Sequence, residues 1–252
     1  MSNVYWLEAK MEFLKSVRMR AYSLSVVLFP SMFYIFFGLA MGREGPPQFM
    51  PMARYLLATY GAFGVMGATL FAFGVGVAVE RGLGWLQLKR ASPMPPAAYF
   101  LAKAAVALSF GAIVVTMLFT LGAAFGGVRM PAGQWLAMGG ALIAGSIPFC
   151  ALGLAIGNIA GPNSAAAVVN MIYLPMSFCG GLWIPFDFLP HAIQRMAPFL
   201  PSFHFSQIAL SILGAPVQGT VAGHISALLG FTLVFAGIAR FAQLRDREKM
   251  FG

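Results

Sequence analysis

Charged side chains are what this sequence has least of. Asp, Glu, Lys and Arg together make up 9% of its 252 residues, while 60% are hydrophobic and the mean hydropathy is +0.81. A soluble domain needs roughly 25% charged residues to keep its surface wet, so most of this chain has lipid as its solvent. Catalytic signatures are missing too. No glycine is followed by lysine, which excludes a phosphate-cradling G-x-x-x-x-G-K-[ST] loop. There is no H-E-x-x-H, no G-x-S-x-G and no Cys/His cluster at metal spacing. The three histidines, His191, His204 and His224, are scattered towards one end of the chain and read as interface residues rather than ligands. Cys150 and Cys179 fall inside predicted spans, where a small apolar side chain is the default and a structural disulfide is not expected. Acidic residues are confined to Glu8, Glu12, Glu44, Glu80, Asp187, Asp246 and Glu248, all at or beyond predicted span ends. A proton- or ion-coupled carrier keeps charge inside its spans, and the halves show no paired broken helices. The chain is therefore not an enzyme, and any uphill work draws its energy from outside it.

What the sequence does have is long apolar runs. At about 20 residues per crossing, these predict an all-α membrane protein with six transmembrane helices near 21–41, 55–79, 102–125, 133–159, 164–184 and 220–241. The first twenty residues lack the apolar core of a cleavable signal. Val4, Leu7, Met11 and Leu14 recur there at helical spacing, with Lys10, Lys15 and Arg18 elsewhere on the wheel and Tyr5 and Trp6 as interface aromatics. This predicts an amphipathic interfacial helix over 1–20, followed by one transmembrane domain over 21–252. Between the last two spans, Pro185, Pro190, Pro198, Pro201 and Pro216 cut an apolar stretch into pieces too short to cross. Irregular backbone is not tolerated in open hydrocarbon, so 185–216 is expected to dip into one leaflet and return as a helical hairpin.

Basic residues set the orientation. A cytoplasmic N-terminus places Lys10, Lys15, Arg18, Arg20, Arg81, Lys89, Arg90, Lys103, Arg240, Arg245, Arg247 and Lys249 inside, and leaves only Arg43, Arg54, Arg129 and Arg195 outside. The positive-inside rule favours that arrangement, with both termini cytoplasmic. Gly61, Gly64 and Gly67 form a narrow stripe, and Gly153 and Gly157 form a G-x-x-x-G; both let helices approach closely, within one subunit or across a dimer.

One charged island interrupts the runs: "ERGLGWLQLKRASPMPP", residues 80–96. Gly82 and Gly84 let the chain turn out of the second span. "WLQLKRA" makes about two helical turns before Ser92-Pro93 stops it. Leu83 and Leu86 fall on one side of the wheel, Trp85 and Leu88 on roughly the other, as suits a short helix touching its own bundle and a docked partner. A loop resting on lipid headgroups, with Trp85 as anchor, fits the same composition.

Three pieces carry a family resemblance. They are the interfacial helix entering the first span, the Glu-Arg followed by "KRASPMPPAAYFLAK" in the style of an "E-x-x-x-x-x-L-x-x-x-P" loop, and "YLPMSFCGGLWIPFDFLPHAIQRMAPFLPSFHF" with its prolines and small residues. In this order they resemble the type 2 ATP-binding-cassette (ABC) permease family, the membrane subunit of many bacterial exporters. The resemblance implies an inner-membrane permease that pairs with a second copy, a homodimer or a sibling, and docks two ATPase subunits on the loop 80–97. ATP and magnesium then belong to the partner, and this chain holds no cofactor. By the same carry-over, Glu80, Arg81, Trp85, Leu86, Lys89, Arg90 and Ser92 couple the ATPase to the spans. Pro175, Gly180 and Gly181 shape the fifth span, while Pro185, Pro190 and Pro201 belong to the hairpin closing the exit. Short outer loops set this chain apart from members with large external domains. An interior rich in Phe and Met suits an amphipathic or hydrophobic cargo such as a drug, antibiotic or lipid-like molecule. Tyr22, Tyr34, Tyr55, Tyr60 and Trp183 keep a polysaccharide or glycolipid cargo open, and a non-transporting subunit of a sensor system has the same spans.

Overall fold

Prolines open helices throughout this chain. Pro51, Pro95, Pro131, Pro190 and Leu200-Pro201 stand at helix starts, where the missing N–H has no intrahelical partner to lose. The computed structural model describes residues 2–40 and 50–251, and every regular element among them is helical. In chain order these are α1 (Ser2–Arg18), α2 (Arg20–Phe33, running on as a π-helical segment Tyr34–Ala40), α3 (Met52–Leu70), then a π-helical segment Phe71–Val75 leading into α4 (Gly76–Gly82), α5 (Trp85–Ala91), α6 (Pro96–Ala124), α7 (Ala132–Ala144), α8 (Ile147–Ile159), α9 (Ala165–Cys179), α10 (His191–Met196), α11 (Pro201–Ile212) and α12 (Val221–Phe251). Arg43 and Glu44 lie outside the described residues.

Among the described residues, five continuous stretches are long and apolar enough to cross a membrane: Tyr22–Ala40, Met52–Gly82, Ala97–Ala124, Ala132–Ile159 and Val221–Arg245. The sixth crossing expected over 164–184 is a helix of only 15 residues, α9. At 1.5 Å per residue it rises about 22 Å, against a hydrocarbon core of about 30 Å. Gly180 and Gly181 end it, Gly181 with a left-handed φ of 73°. The segment 185–216 is a series of short helices: a 3-10 turn after Pro185, α10 after Pro190, and α11 from Pro201. Pro175 sits exposed within α9.

The Met52–Gly82 stretch is the axis of the bundle. It is 78% buried, whereas the Val221–Arg245 stretch is 11% buried and lies at the periphery. Every residue from Leu56 to Leu70 is buried. Its glycine stripe makes this possible, because each glycine receives a different neighbour. A Cβ at Gly61 would come within 2.7 Å of Leu142 on α7, one at Gly64 within 2.5 Å of Val114 on α6 and 2.9 Å of Pro30 on α2, and one at Gly67 within 2.6 Å of the Tyr173 hydroxyl on α9. Gly153 and Gly157 likewise lie against the backbone around Phe73 and Gly74. Both small-residue motifs are therefore used for packing within one subunit.

Tyrosines fasten this interior. The hydroxyls of Tyr34, Tyr60 and Tyr173 donate to the carbonyls of Ala53 (3.0 Å), Trp183 (3.2 Å) and Phe63 (3.1 Å). At the end of the bundle away from α5, Ser202 and Ser206 of α11 donate to the carbonyls of Met176 (2.6 Å) and Gly180 (3.2 Å), fixing α11 against the end of α9. The last carbonyls of α11 are held by Gln134 (to Ile212, 2.6 Å) and Arg54 (to Leu213, 3.3 Å). At the opposite end α1 packs along α6.

Candidate functional site

α1 is amphipathic, and it turns its polar side to the protein. Val4, Leu7, Met11 and Leu14 are exposed, whereas Glu12 and Ser16 are buried. Glu8, Glu12 and Lys15 recur at i, i+4 and i+7, so they share one face. That face meets the ends of α4 and α6 and the side of α5.

Glu80, the last acidic residue of α4, is the hub. Its Oε1 accepts from Lys103 (2.9 Å) and from Lys15, and its Oε2 accepts from the Tyr99 hydroxyl (2.7 Å). Lys103 also pairs with Glu12, and Lys15 lies 3.4 Å from the same carboxylate. Lys89 of α5 pairs with Glu8 and sits 4.7 Å from the centre of the Tyr99 ring, while Lys15 lies 5.7 Å from the Trp85 ring. Three carboxylates and three ammonium groups cancel. Glu12, Glu80 and Lys103 are 3–5% exposed, and an isolated charge at that depth costs several kcal/mol. Neutrality and full hydrogen bonding are what make the cluster tolerable.

Burial pushes the Glu12 carboxyl up, but the ammonium groups of Lys103, Lys15 and Lys89 more than offset it and hold the group below its usual value of 4.5. Burial and the like charge of Lys103 lower the Lys15 ammonium despite the attraction of Glu12.

The expected coupling residues thus divide into two sets. Glu80 and Lys89 belong to the buried network, and Leu86 packs inward against the cluster of Phe73, Val77 and Tyr99. Arg81 turns the other way. It donates to the carbonyls of Asn158 and Ala160 (2.7 Å), closing the C-terminal end of α8, and Asn158 in turn donates to Ala239 of α12 (3.2 Å). Trp85 remains half exposed, with Leu83 and Leu88 more so, and these three form the outward apolar surface of the loop. Gly84 starts α5 from a left-handed φ of 75°, and Ser92 ends it by donating its hydroxyl to Lys89 (2.7 Å). The side chain of Arg90 lies outside the described set.

From sequence, Lys15 and Lys103 are visible only as basic charges that set orientation, Glu8 and Glu12 only as acidic residues outside the spans, and Tyr99 carries no mark. One signal was present. Lys103 stands alone in an apolar run, and a lone ammonium there demands a partner.

The comparisons bear on what such a loop serves. The family profile described as ABC-2 type transporter matches residues 3–214. The chain belongs to the ABC-2 type transporter family. A curated relative named "Putative transport permease YvfS", of Bacillus subtilis (strain 168), is 28% identical over 240 residues, covering 94% of this chain and 98% of its own. In an ABC-2 permease the membrane component is distinct from the ATPase, and membership implies association with ATPase subunits. It is a multi-pass membrane protein, and the loop 80–97 is the charged connection between two of its long apolar stretches.

Proposed function

We propose that this ABC-2 permease is the membrane half of an ATP-driven exporter in a bacterial inner membrane, with both termini cytoplasmic, and that the outward face of α5 is where an ATPase subunit docks. A second copy completes the translocation path, and two ATPases supply ATP and magnesium. The reading rests on one observation: an exposed apolar ridge, Leu83, Trp85 and Leu88, stands on a helix whose other side is anchored in a buried neutral charge network. Exposed aromatic and aliphatic residues on a rigid base supply binding energy at low entropic cost. A loop that merely rested on headgroups has no need of such bracing.

In this mechanism, closure of the ATPases pushes α5. Lys89 passes the load to α1 through Glu8, Glu80 passes it to α1 and α6, and Arg81 passes it to α8 and α12. α9 and the hairpin 185–216, shaped by Pro175, Gly180, Gly181, Pro185, Pro190 and Pro201, form the sixth membrane element and close the exit. The exposed stripe of α1 rests in lipid.

Cargo follows from the interior. Tyr34, Tyr60 and Tyr173 spend their hydroxyls on backbone carbonyls, which leaves few polar groups for a sugar polymer to use. An amphipathic or hydrophobic cargo, drug-like or lipid-like, fits the Phe- and Met-rich walls better.

Co-expression with its cognate ATPase subunit tests the docking. The pair Trp85→Ala and Leu88→Ala should insert in the membrane normally and lose ATPase co-purification. Retention of the ATPase at normal strength would refute the docking face.

A further inference from the structure

At the hairpin end of the bundle lies an open cavity of about 450 Å³, within the usual range for small-molecule sites. His191 and Arg195 of α10, His204 of α11 and His224 of α12 line it, with Gln218 on its rim. Among the described residues no carboxylate lines it: Asp187 is exposed on the 3-10 turn beside it, and α12 carries no charged residue before Arg240.

Hydrogen bonding fixes the histidine tautomers. A carbonyl can only accept, so the 2.9 Å contact to Pro198 makes His204 Nε2 a donor. In the neutral ring His204 Nδ1 is then an acceptor, and the 2.9 Å contact between the two Nδ1 atoms makes His224 the donor there. The remaining nitrogen, His224 Nε2, is left with a bare lone pair. It makes no hydrogen bond of normal geometry, with the Gln218 backbone beside the ring, on a residue only 4% exposed. A buried acceptor with nothing to accept is costly, and an unpaired buried imidazolium would cost more, so a proton enters only together with an anion that pairs with it. The charged ring then stands edge-on to Phe203, 5.8 Å between centroids. With Arg195 beside it, the cavity has cationic donors and needs a counter-charge. α11 and α12 both begin at its wall, with the positive ends of their dipoles there.

The surroundings indicate where that counter-charge comes from. Phe188, Met196 and Phe199 are large, apolar and 62–79% exposed, and each stands within two residues in sequence of a residue that lines the cavity. A cationic cavity with exposed apolar side chains close by in the chain matches an amphiphile, with the headgroup in the cavity and the tail against those side chains.

We propose that this cavity binds the anionic headgroup of a lipid-like amphiphile together with a proton, with Arg195 and His224 as the recognising groups. The proposal rests on reading 185–216 as a membrane-surface hairpin, and it does not depend on ATPase docking. Proton and anion reinforce each other, and by linkage each raises affinity for the other equally.

The test uses the full chain in phosphatidylcholine nanodiscs without any ATPase. The probe is lysophosphatidylglycerol, a phosphodiester whose charge is constant between pH 6 and 8. Its binding should exceed that of zwitterionic lysophosphatidylcholine, and should be about tenfold tighter at pH 6 than at pH 8. Arg195→Gln, at an exposed position that leaves folding intact, should weaken it by about tenfold. His224→Gln should remove the pH dependence. Glycerophosphoglycerol, the same headgroup without a chain, should bind at least tenfold more weakly. Equal binding of the two lysolipids, indifference to Arg195→Gln or a flat pH profile would each overturn the site. Equal binding of the chainless headgroup would overturn its assignment to an amphiphile. Because the permease is measured alone, failure here leaves the docking of α5 untouched, and failure of docking leaves this site untouched.

Discussion

Glu80 and Arg81 are adjacent in sequence and bind opposite halves of the molecule. The carboxylate holds α1 and α6 through Lys15, Lys103 and Tyr99, and the guanidinium holds the end of α8, which Asn158 ties to α12. The end of α4 is therefore tied to both sets of helices.

Removing one member of the network leaves its partners charged and buried. Glu80→Gln is expected to cost about 3–5 kcal/mol, read as a clear fall in the thermal unfolding midpoint of the detergent-purified protein. The double variant Glu80→Leu/Lys103→Leu should recover much of that loss, since a buried pair replaced by apolar groups is often neutral. A double variant less stable than Glu80→Gln would contradict this account.

Arg81→Ala should act at a distance along the chain. Two carbonyls at the end of α8 lose their donor, about 1–3 kcal/mol of local stability. Hydrogen exchange should rise in residues 156–162 while α1 stays protected. Equal deprotection of α1 would show that the two arms are not separate.

Leu86 and Leu88 stand two residues apart and should give opposite results. Leu86→Ala removes inward packing and should lower stability by about 1–2 kcal/mol, toward the lower end for a part-buried leucine. Leu88→Ala should leave the unfolding midpoint unchanged and weaken ATPase capture by about tenfold, as an interface residue worth more than 1 kcal/mol does.

Acid should release α1 late. Lys103 and its neighbours depress the folded-state pKa of Glu12, so its contribution is present above the unfolded value of 4.5 and is lost as pH falls through the lower folded value. A spin label on the exposed side of α1 should report docking that holds at pH 5 and fails only below about 4.5. In Glu12→Gln the same label should show a weaker acid transition. Release beginning at pH 6 would mean that Glu12 is not so held.

The central glycines should resist enlargement. Gly64→Val places side-chain atoms against Val114 and Pro30 and is expected to cost about 1–3 kcal/mol by overpacking. A fall in unfolding midpoint that is independent of protein concentration locates the effect within one subunit.

Much of this fold is legible in residue pattern. Apolar runs marked the five long stretches, prolines marked the short helices between 185 and 216, and the Gly61–Gly67 stripe marked the most crowded helix. α1 was visible as an amphipathic helix, although its polar side faces protein because Glu8 and Glu12 find ammonium partners there. The network itself was not legible. Glu12 and Lys103 are 91 positions apart, and composition cannot pair residues over that distance. The inward turn of Leu86 was hidden for a related reason: on a two-turn helix the wheel gives two apolar sides, and only Phe73, Val77 and Tyr99 decide which is covered. The shortness of α9 was signalled by Gly180-Gly181, but apolar residues continue past it and blur the end.

The cancellation of charge behind α5 has an electrical consequence. Moving one elementary charge through 100 mV takes about 2.3 kcal/mol. A knot of three carboxylates and three ammonium groups carries no net charge. In the cycle proposed above, the knot itself therefore contributes no gating charge when it shifts as a unit.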